Sequence, residues 1–277
     1  MLSTWPNLLA RRDLVRQVTL SELKSSRLQT RFGWVWWLID PVVMMLMYWG
    51  IVVGLMGRGK LQYAPYPIFI LTALITWKHV SSSIANCSRV LSSHEALIKS
   101  VAFPTMVLPI SRVLSGFTFF LCGMGVVGAA VLIVPNQHSG DLAPLEQMPA
   151  LMALQLAIVA GCALVVACFG VLVKDLRNFL GYILRIGFYG SASLYGIDMV
   201  RDALLEGKYA ETWGPTAFLL FTLNPFALLI TGYRDVLFYG RFMEPQYWIT
   251  LVVEAVVILY GGFRIYQHYD RRVIKFL

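Results

Sequence analysis

Five ionisable side chains, Lys78, His79, Arg112, Arg185 and Asp198, interrupt stretches that are otherwise apolar. A charge at the centre of a bilayer costs about 2.5–3.5 kcal/mol on insertion scales, so such groups line a polar path or are neutralised. For Lys78 and Arg112 the neutralising options are snorkelling to an interface or pairing with Asp40 or Glu254. Arg185 is the best candidate for a charge that faces a path, because Tyr182, Tyr189, Ser191, Ser193 and Tyr195 lie near it in sequence. Aromatic faces stack on the C–H faces of sugars, and hydroxyls bond their edges. Aromatic packing in a core accounts for the same stripe equally well.

Other chemistry is looked for and set aside. Gly54 to Lys60 reads G-x-x-x-x-G-K, but Leu61 follows where magnesium binding needs Ser or Thr, and the run ends an apolar stretch instead of linking strand to helix. It is therefore not a nucleotide site. There is no H-E-x-x-H, no nucleophile elbow and no paired-carboxylate arrangement. Asp198, Asp202 and Glu206 form the one acidic cluster. Cys87, Cys122, Cys162 and Cys168 make no C-x-x-C and read as small buried hydrophobes. No catalytic residue, metal site or cofactor is assigned to this chain.

The elements that must hold these residues follow from composition. Of 277 residues 58% are hydrophobic and 14% charged, with mean hydropathy +0.67, whereas soluble domains carry about 25% charged residues. The fold class is an all-α membrane protein with six transmembrane helices, in one domain over 1–277. Residues 1–32 form a basic amphipathic helix in the interface plane, with Leu8, Leu14, Val15, Val18 and Leu23 set among arginines and lysines. Spans are expected over 33–57, 67–85, 103–134, 149–173, 179–199 and 247–263.

Several boundaries have local reasons. Trp34, Trp36 and Trp37 suit the headgroup level. Asp40-Pro41 reads as an N-cap with proline at the first helical position. Pro104 and Pro109 should break off the first turns of the third span. Val90 and Leu91 repeat as Leu97 and Ile98, so a short amphipathic helix follows the second span. The 217–230 stretch is cut by Asn224-Pro225, and a re-entrant hairpin fits it best. Gly50, Gly54, Gly123, Gly125 and Gly128 would let helices approach closely.

Net charge is +8. The charges cluster at span ends, so they read as topology signals and contacts with anionic lipid headgroups, not nucleic acid. Six spans with both termini cytoplasmic put 14 Lys and Arg inside against six outside (Arg58, Lys60, Arg201, Lys208, Arg234 and Arg241). The opposite orientation violates the positive-inside rule. With no h-region or cleavage site in the first thirty residues, the N-terminus is expected to be retained.

Taken in order, the motifs resemble the permease subunit of type-2 ABC exporters for bacterial surface polysaccharides (O-antigen, teichoic acid and capsule). The resemblance rests on Thr30-Arg31-Phe32-Gly33-Trp34-Val35-Trp36-Trp37 with Asp40-Pro41, and on Tyr66-Pro67-Ile68-Phe69 with Leu74 and Trp77. It continues through Leu97-Ile98-Lys99, Phe103-Pro104, Leu108-Pro109, Asp175-Leu176-Arg177-Asn178, Leu223-Asn224-Pro225 and Tyr233-Arg234-Asp235. The chain departs from the usual pattern at Ser191-Ala192-Ser193, where a Ser-Pro pair is common, and at Asp40.

The resemblance implies a homodimer in the bacterial inner membrane with two copies of a separate ATPase, which would bind ATP and magnesium. The substrate would be a lipid-linked polysaccharide. Trp34, Trp36, Trp37, Tyr48, Trp49, Tyr182, Arg185, Tyr189 and Tyr195 would line its path. Arg89, Leu91, His94, Glu95, Leu97 and Lys99 would couple to the ATPase. An ion-coupled transporter should show internal repeats and matching broken helices, and a transferase for lipid-linked sugars needs an acidic or histidine constellation at one face. Neither is found.

Overall fold

A computed structural model describes residues 12–28, 35–55, 66–100, 104–133, 143–173, 175–207 and 210–277. Trp34, most of the Gly54–Lys60 run, residues 134–142 and Lys174 lie outside these. Among the described residues every regular element is helical: α1 (Arg12–Leu28), α2 (Val35–Trp49, continued as a wider turn through Gly50–Leu55), α3 (Tyr66–Ser93), α4 (Glu95–Ser100) and α5 (Val107–Ile133). Then come α6 (Met148–Leu172, entered by a tight turn at Ala143–Gln147), α7 (Leu176–Gly190), α8 (Ile197–Arg201, widening through Asp202–Glu206), α9 (Gly214–Thr222), α10 (Pro225–Leu237) and α11 (Pro245–Phe276).

Five of these helical stretches are long and apolar enough to cross a membrane, and a sixth crossing exists if the bent pair α9–α10 counts as one. The central helix is α3, packed on α2, α5, α6, α7 and α10. Its 28 residues span about 42 Å at 1.5 Å per residue, against a hydrocarbon core of about 30 Å. The helix is therefore longer than the apolar layer is thick. This corrects the expected second span, which was to end near Ala85 before a separate amphipathic helix. The helix runs unbroken to Ser93 and the break falls at His94. Two apolar clusters stack along α3: one around Phe69, Phe120, Leu151 and Tyr233, the other around Leu91, Leu164, Tyr266 and Val273.

Three further expectations change. Asp40 caps nothing, because the helix runs from Val35 through Pro41 and the Asp40 carboxylate is taken by Lys78 of α3. Of the two prolines before α5, only Pro104 stays outside the helix. Pro109 sits in the first turn, where its missing N–H costs nothing. The predicted 179–199 span is not one helix: α7 stops at Gly190, and a buried turn separates it from α8.

Of the glycines singled out from sequence, Gly123 is closely packed, since a Cβ there would lie 2.9 Å from Ile75 and 3.0 Å from Trp37, but backbone-to-backbone approach occurs at others. Gly50, Gly54, Gly125 and Gly128 face open space, whereas a Cβ on Gly161 of α6 would lie 2.5 Å from the Ile258 carbonyl oxygen of α11. One on Gly262 would lie 2.3 Å from the Gly161 carbonyl oxygen. The two helices thus meet backbone to backbone, as small residues allow in membranes. At the opposite end of α3 from Tyr66, Ser111 of α5 donates to the Val15 carbonyl of α1 at 3.3 Å, and Lys99 of α4 donates to the Leu277 carbonyl at 2.6 Å. So α1, α4 and the end of α11 share one end of the bundle.

Gly161→Val is expected to force α6 from α11 and to cost about 1–3 kcal/mol, the usual price of overpacking. Unfolding in mixed micelles measures it, with Gly50→Val, which meets open space, expected to change stability little.

Candidate functional site

A cleft of about 360 Å³ lies between α2, α3 and α7, lined by Asp40, Met44, Tyr48, Trp77, Lys78, Arg185, Phe188 and Tyr189 among others. Its floor is the Lys78–Asp40 ion pair, with the two side chains 30% and 55% exposed. Its walls are aromatic: Tyr48 stacks on Phe188 with centroids 6.2 Å apart, and Trp77 tilts against the same ring at 6.0 Å. Trp77 fits because Gly187 leaves room, since a Cβ there would meet its ring at 2.8 Å.

α7 turns an unusual face outward. Phe179, Tyr182, Ile183, Ile186 and Tyr189 recur at helical spacing and are each more than half exposed. Arg185 is exposed among them with no ion pair or hydrogen bond to any described residue. Of the residues expected along the path, Tyr48, Arg185 and Tyr189 line the cleft, and Tyr182 lies on the outward face of α7. Trp49 is exposed on α2, whereas Trp36 and Trp37 line a different cavity. Tyr195 lies away from the cleft: its hydroxyl donates to the Tyr189 carbonyl at 2.6 Å. Ser191 and Ser193 are fully buried and bonded to each other at 3.0 Å.

The intramembrane charges find partners as follows. Lys78 pairs with Asp40, one of the partners named from sequence. Arg112 pairs with Glu22 of α1 instead, a partner the sequence reading missed. His79 is buried in a polar triad: the Gln155 amide donates to its Nδ1 at 2.7 Å, and the Tyr233 hydroxyl donates to the Gln155 carbonyl oxygen at 2.7 Å.

The largest omission was Arg234, counted from sequence as an external charge. It is 2% exposed. Its Nη1 donates to the carbonyls of Ala192 and Tyr195 at 2.6 and 2.8 Å, Nη2 to Ser193 at 2.7 Å, and Nε to Phe69 at 3.2 Å. Its plane lies over the Phe69 ring, 3.5 Å from the centroid. Ala192 holds the left-handed φ of 55° that ends α7, a conformation that costs a non-glycine residue of order 1–3 kcal/mol. The freed carbonyls at a helix C-terminus attract a cation, and Arg234 is that cation. Asn224, which caps α10 through Phe226, also donates to the Gly190 carbonyl at 3.0 Å. The break in α7–α8 and the break in α9–α10 are thereby fastened together.

Beyond this clamp, Asp235 accepts from Arg241 at 2.7 Å, and Arg201 donates to Tyr247 at 2.9 Å. The Tyr247 bond raises the Arg201 pKa above its ordinary value against the pull of burial, helped by Glu244 and Asp198. No metal-binding group of three or more His, Cys, Asp or Glu occurs among the described residues.

No family model matches the chain. It is 24% identical over 265 residues, 96% of its length and 95% of the other's, to the O-antigen export system permease protein RfbA of Klebsiella pneumoniae. It is 24% identical over 260 residues, 92% of each, to the protein of the same name from Myxococcus xanthus. Both matches span nearly the whole of each chain. These relatives support reading the chain as a type-2 ABC exporter permease.

As a permease it is a transporter subunit and not an enzyme, a multi-pass protein of the inner membrane whose export system implies an ATPase on another chain. The ion-coupled and transferase readings are not favoured. At the end of the permease that carries α1 and the end of α11, Arg89, Glu95, Leu97 and Lys99 are exposed, with Glu95 and Lys99 paired at 2.6 Å. His94 marks the kink between α3 and α4, its Nδ1 2.8 Å from the Val90 carbonyl. Leu91 is buried and packs inward.

Replacing Arg234 by Lys should remove most of the four carbonyl bonds and destabilise the permease by roughly 3 kcal/mol or more, given about 1.5–3 kcal/mol for each hydrogen bond to a charged group. Asn224→Ala should cost about 1 kcal/mol, the scale of a lost N-cap. Denaturant unfolding in detergent compares the two.

Proposed function

We propose that this permease forms the membrane half of an ATP-driven exporter that moves a lipid-linked polysaccharide of the O-antigen type. Two copies pair in the bacterial inner membrane with both termini cytoplasmic, and each engages one ATPase subunit, which binds ATP and magnesium. The whole chain acts as one transmembrane domain. α1 lies along the inner membrane surface, and the α9–α10 pair is a re-entrant hairpin at the outer side.

The observation that carries this reading is Arg185, exposed and unpaired among the described residues, on an outward face of α7 at a cleft of aromatic rings. A lone guanidinium facing lipid is costly, so that face belongs against water, sugar or a second copy. The outward face of α11, with Ile249, Val252, Val253, Val256, Val257 and Tyr260, has the composition of a lipid contact. Rings with hydroxyl and guanidinium donors suit a polymer that slides, because stacking tolerates many sugars and no single bond anchors one. Trp49 offers a further exposed ring on α2, Trp34, Trp36 and Trp37 are further path candidates, and Tyr195 steadies the end of α7 behind Tyr189.

Coupling falls to α4 and the Ser93 end of α3. Arg89, Glu95, Leu97 and Lys99 offer side chains to the ATPase. His94 sets the angle of α4, and Leu91 anchors it to the core.

In cells that depend on this exporter, Arg185→Ala with Tyr189→Ala should lower surface polymer at least tenfold while the ATPase still co-purifies. Leu97→Asp should instead lose the stimulation of ATP hydrolysis by the permease. Full export by the first variant, or unchanged coupling in the second, sinks the corresponding assignment.

A further inference from the structure

A second cavity of about 300 Å³ opens between the start of α2, the Ser93 end of α3 and the start of α5. It shares only Lys78 with the cleft. Its walls carry the rings of Trp36 and Trp37, the cations Lys78 and Arg112, and the polar groups of Ser83 and Asn86. The carboxylates that pair with the cations, Asp40 and Glu22, stand outside its lining. Each cation therefore meets a carboxylate on one side and the cavity on the other.

Hydrogen-bond donors here lack acceptors. Ser83 is 2% exposed and its Oγ has no partner, and the buried Nε of Arg112 has none either. Behind Ser83 the His79 ring is fully buried, with its Nδ1 taken by the Gln155 amide. Gly116 keeps this corner open: a Cβ there would stand 2.7 Å from the Ser83 Oγ and 3.8 Å from the His79 Nε2. Leaving a buried donor unsatisfied costs about 1–3 kcal/mol, and no described residue accepts from the Ser83 Oγ or the Arg112 Nε.

We propose that this cavity binds the phosphate-bearing headgroup of a lipid. Phosphate is the acceptor-rich anion that matches a guanidinium and an ammonium facing one space. Ser83, Asn86 and the indole rings then meet the glycerol or sugar that the phosphate carries. Asn86 lies seven residues from the Ser93 end of α3, about 10 Å along the axis, a depth that lets the headgroup reach the cavity while its chains stay in lipid. A bulk glycerophospholipid and a polyprenyl-phosphate sugar share this chemistry. The site does not depend on which polymer is exported, or on export at all.

The test uses the full-length chain in detergent, with binding read by native mass spectrometry. Probes are dioctanoyl phosphatidylglycerol, a short-chain polyprenyl-phosphate glucoside and phosphate-free dioctanoylglycerol. The first two should bind saturably and the third should not; whichever phosphate lipid binds more tightly identifies the source. Asn86→Leu and Gly116→Ala leave both ion pairs in place and should each weaken phosphate-lipid binding tenfold or more, while Ile249→Ala on α11 should not. Asn86 is exposed, so its variant carries the test if Gly116→Ala does not fold. Equal binding of dioctanoylglycerol, or phosphate-lipid binding untouched by Asn86→Leu, overturns the proposal. The readout involves neither ATPase nor transport, so its failure is distinct from a failure of the export reading.

Discussion

A guanidinium buried where two helices break is the constraint on which the rest of this permease depends. Carbonyls freed at the end of α7 need donors, and a hydrocarbon layer supplies none. Arg234 supplies four N–H groups to Phe69, Ala192, Ser193 and Tyr195, and the ring of Phe69 covers its face. The left-handed Ala192 is tolerable for that reason. Because Arg234 rides on α10 and Asn224 at its start holds Gly190, the position of α7 is fixed from the bent pair α9–α10. The outward face of α7, with Arg185 and its tyrosines, inherits its orientation from this clamp.

That orientation divides the surface by chemistry. One side shows α2 and α7, with rings, an ion pair and an exposed arginine around a cleft. Another shows α11, whose exposed stripe is aliphatic apart from Tyr260. Polar lining costs free energy in lipid and little against water or sugar, so the first face is the one that a path would use. The buried His79–Gln155–Tyr233 chain ties α3, α6 and α10 beneath it, and its bonds are worth more in a medium without water.

Much of this was legible in the sequence, and what was not has identifiable causes. The apolar lengths of α2, α3, α5, α6 and α11 follow from hydropathy, and Asn224-Pro225 marks the bend between α9 and α10, which is 77°. Tyr182, Arg185 and Tyr189 share a face because three and four residues make a helical turn. Ser191 and Ser193 misled, since a period that assumes one helix fails where the helix ends. The break itself was hidden: its stabilising partner lies about 40 residues away on α10, and Arg234 looked like any charge beyond a span. Glu22 was hidden as the partner of Arg112 for the same reason of distance. Composition could not reveal the close glycines either, since Gly161 and Gly262 differ from Gly50 and Gly54 only in what faces them.

The central claim is that the outward face of α7 meets water or sugar and not lipid. Single cysteines at Tyr182, Ile186 and Tyr189, and at Val253 and Val257 of α11, placed in a variant lacking the four native cysteines, test it directly. Labelling in intact membranes with a charged, membrane-impermeant thiol reagent, while the ATPase turns over, reads which face is wet. The α7 positions should react and the α11 positions should stay protected. Equal protection of both faces, or labelling confined to α11, contradicts the account.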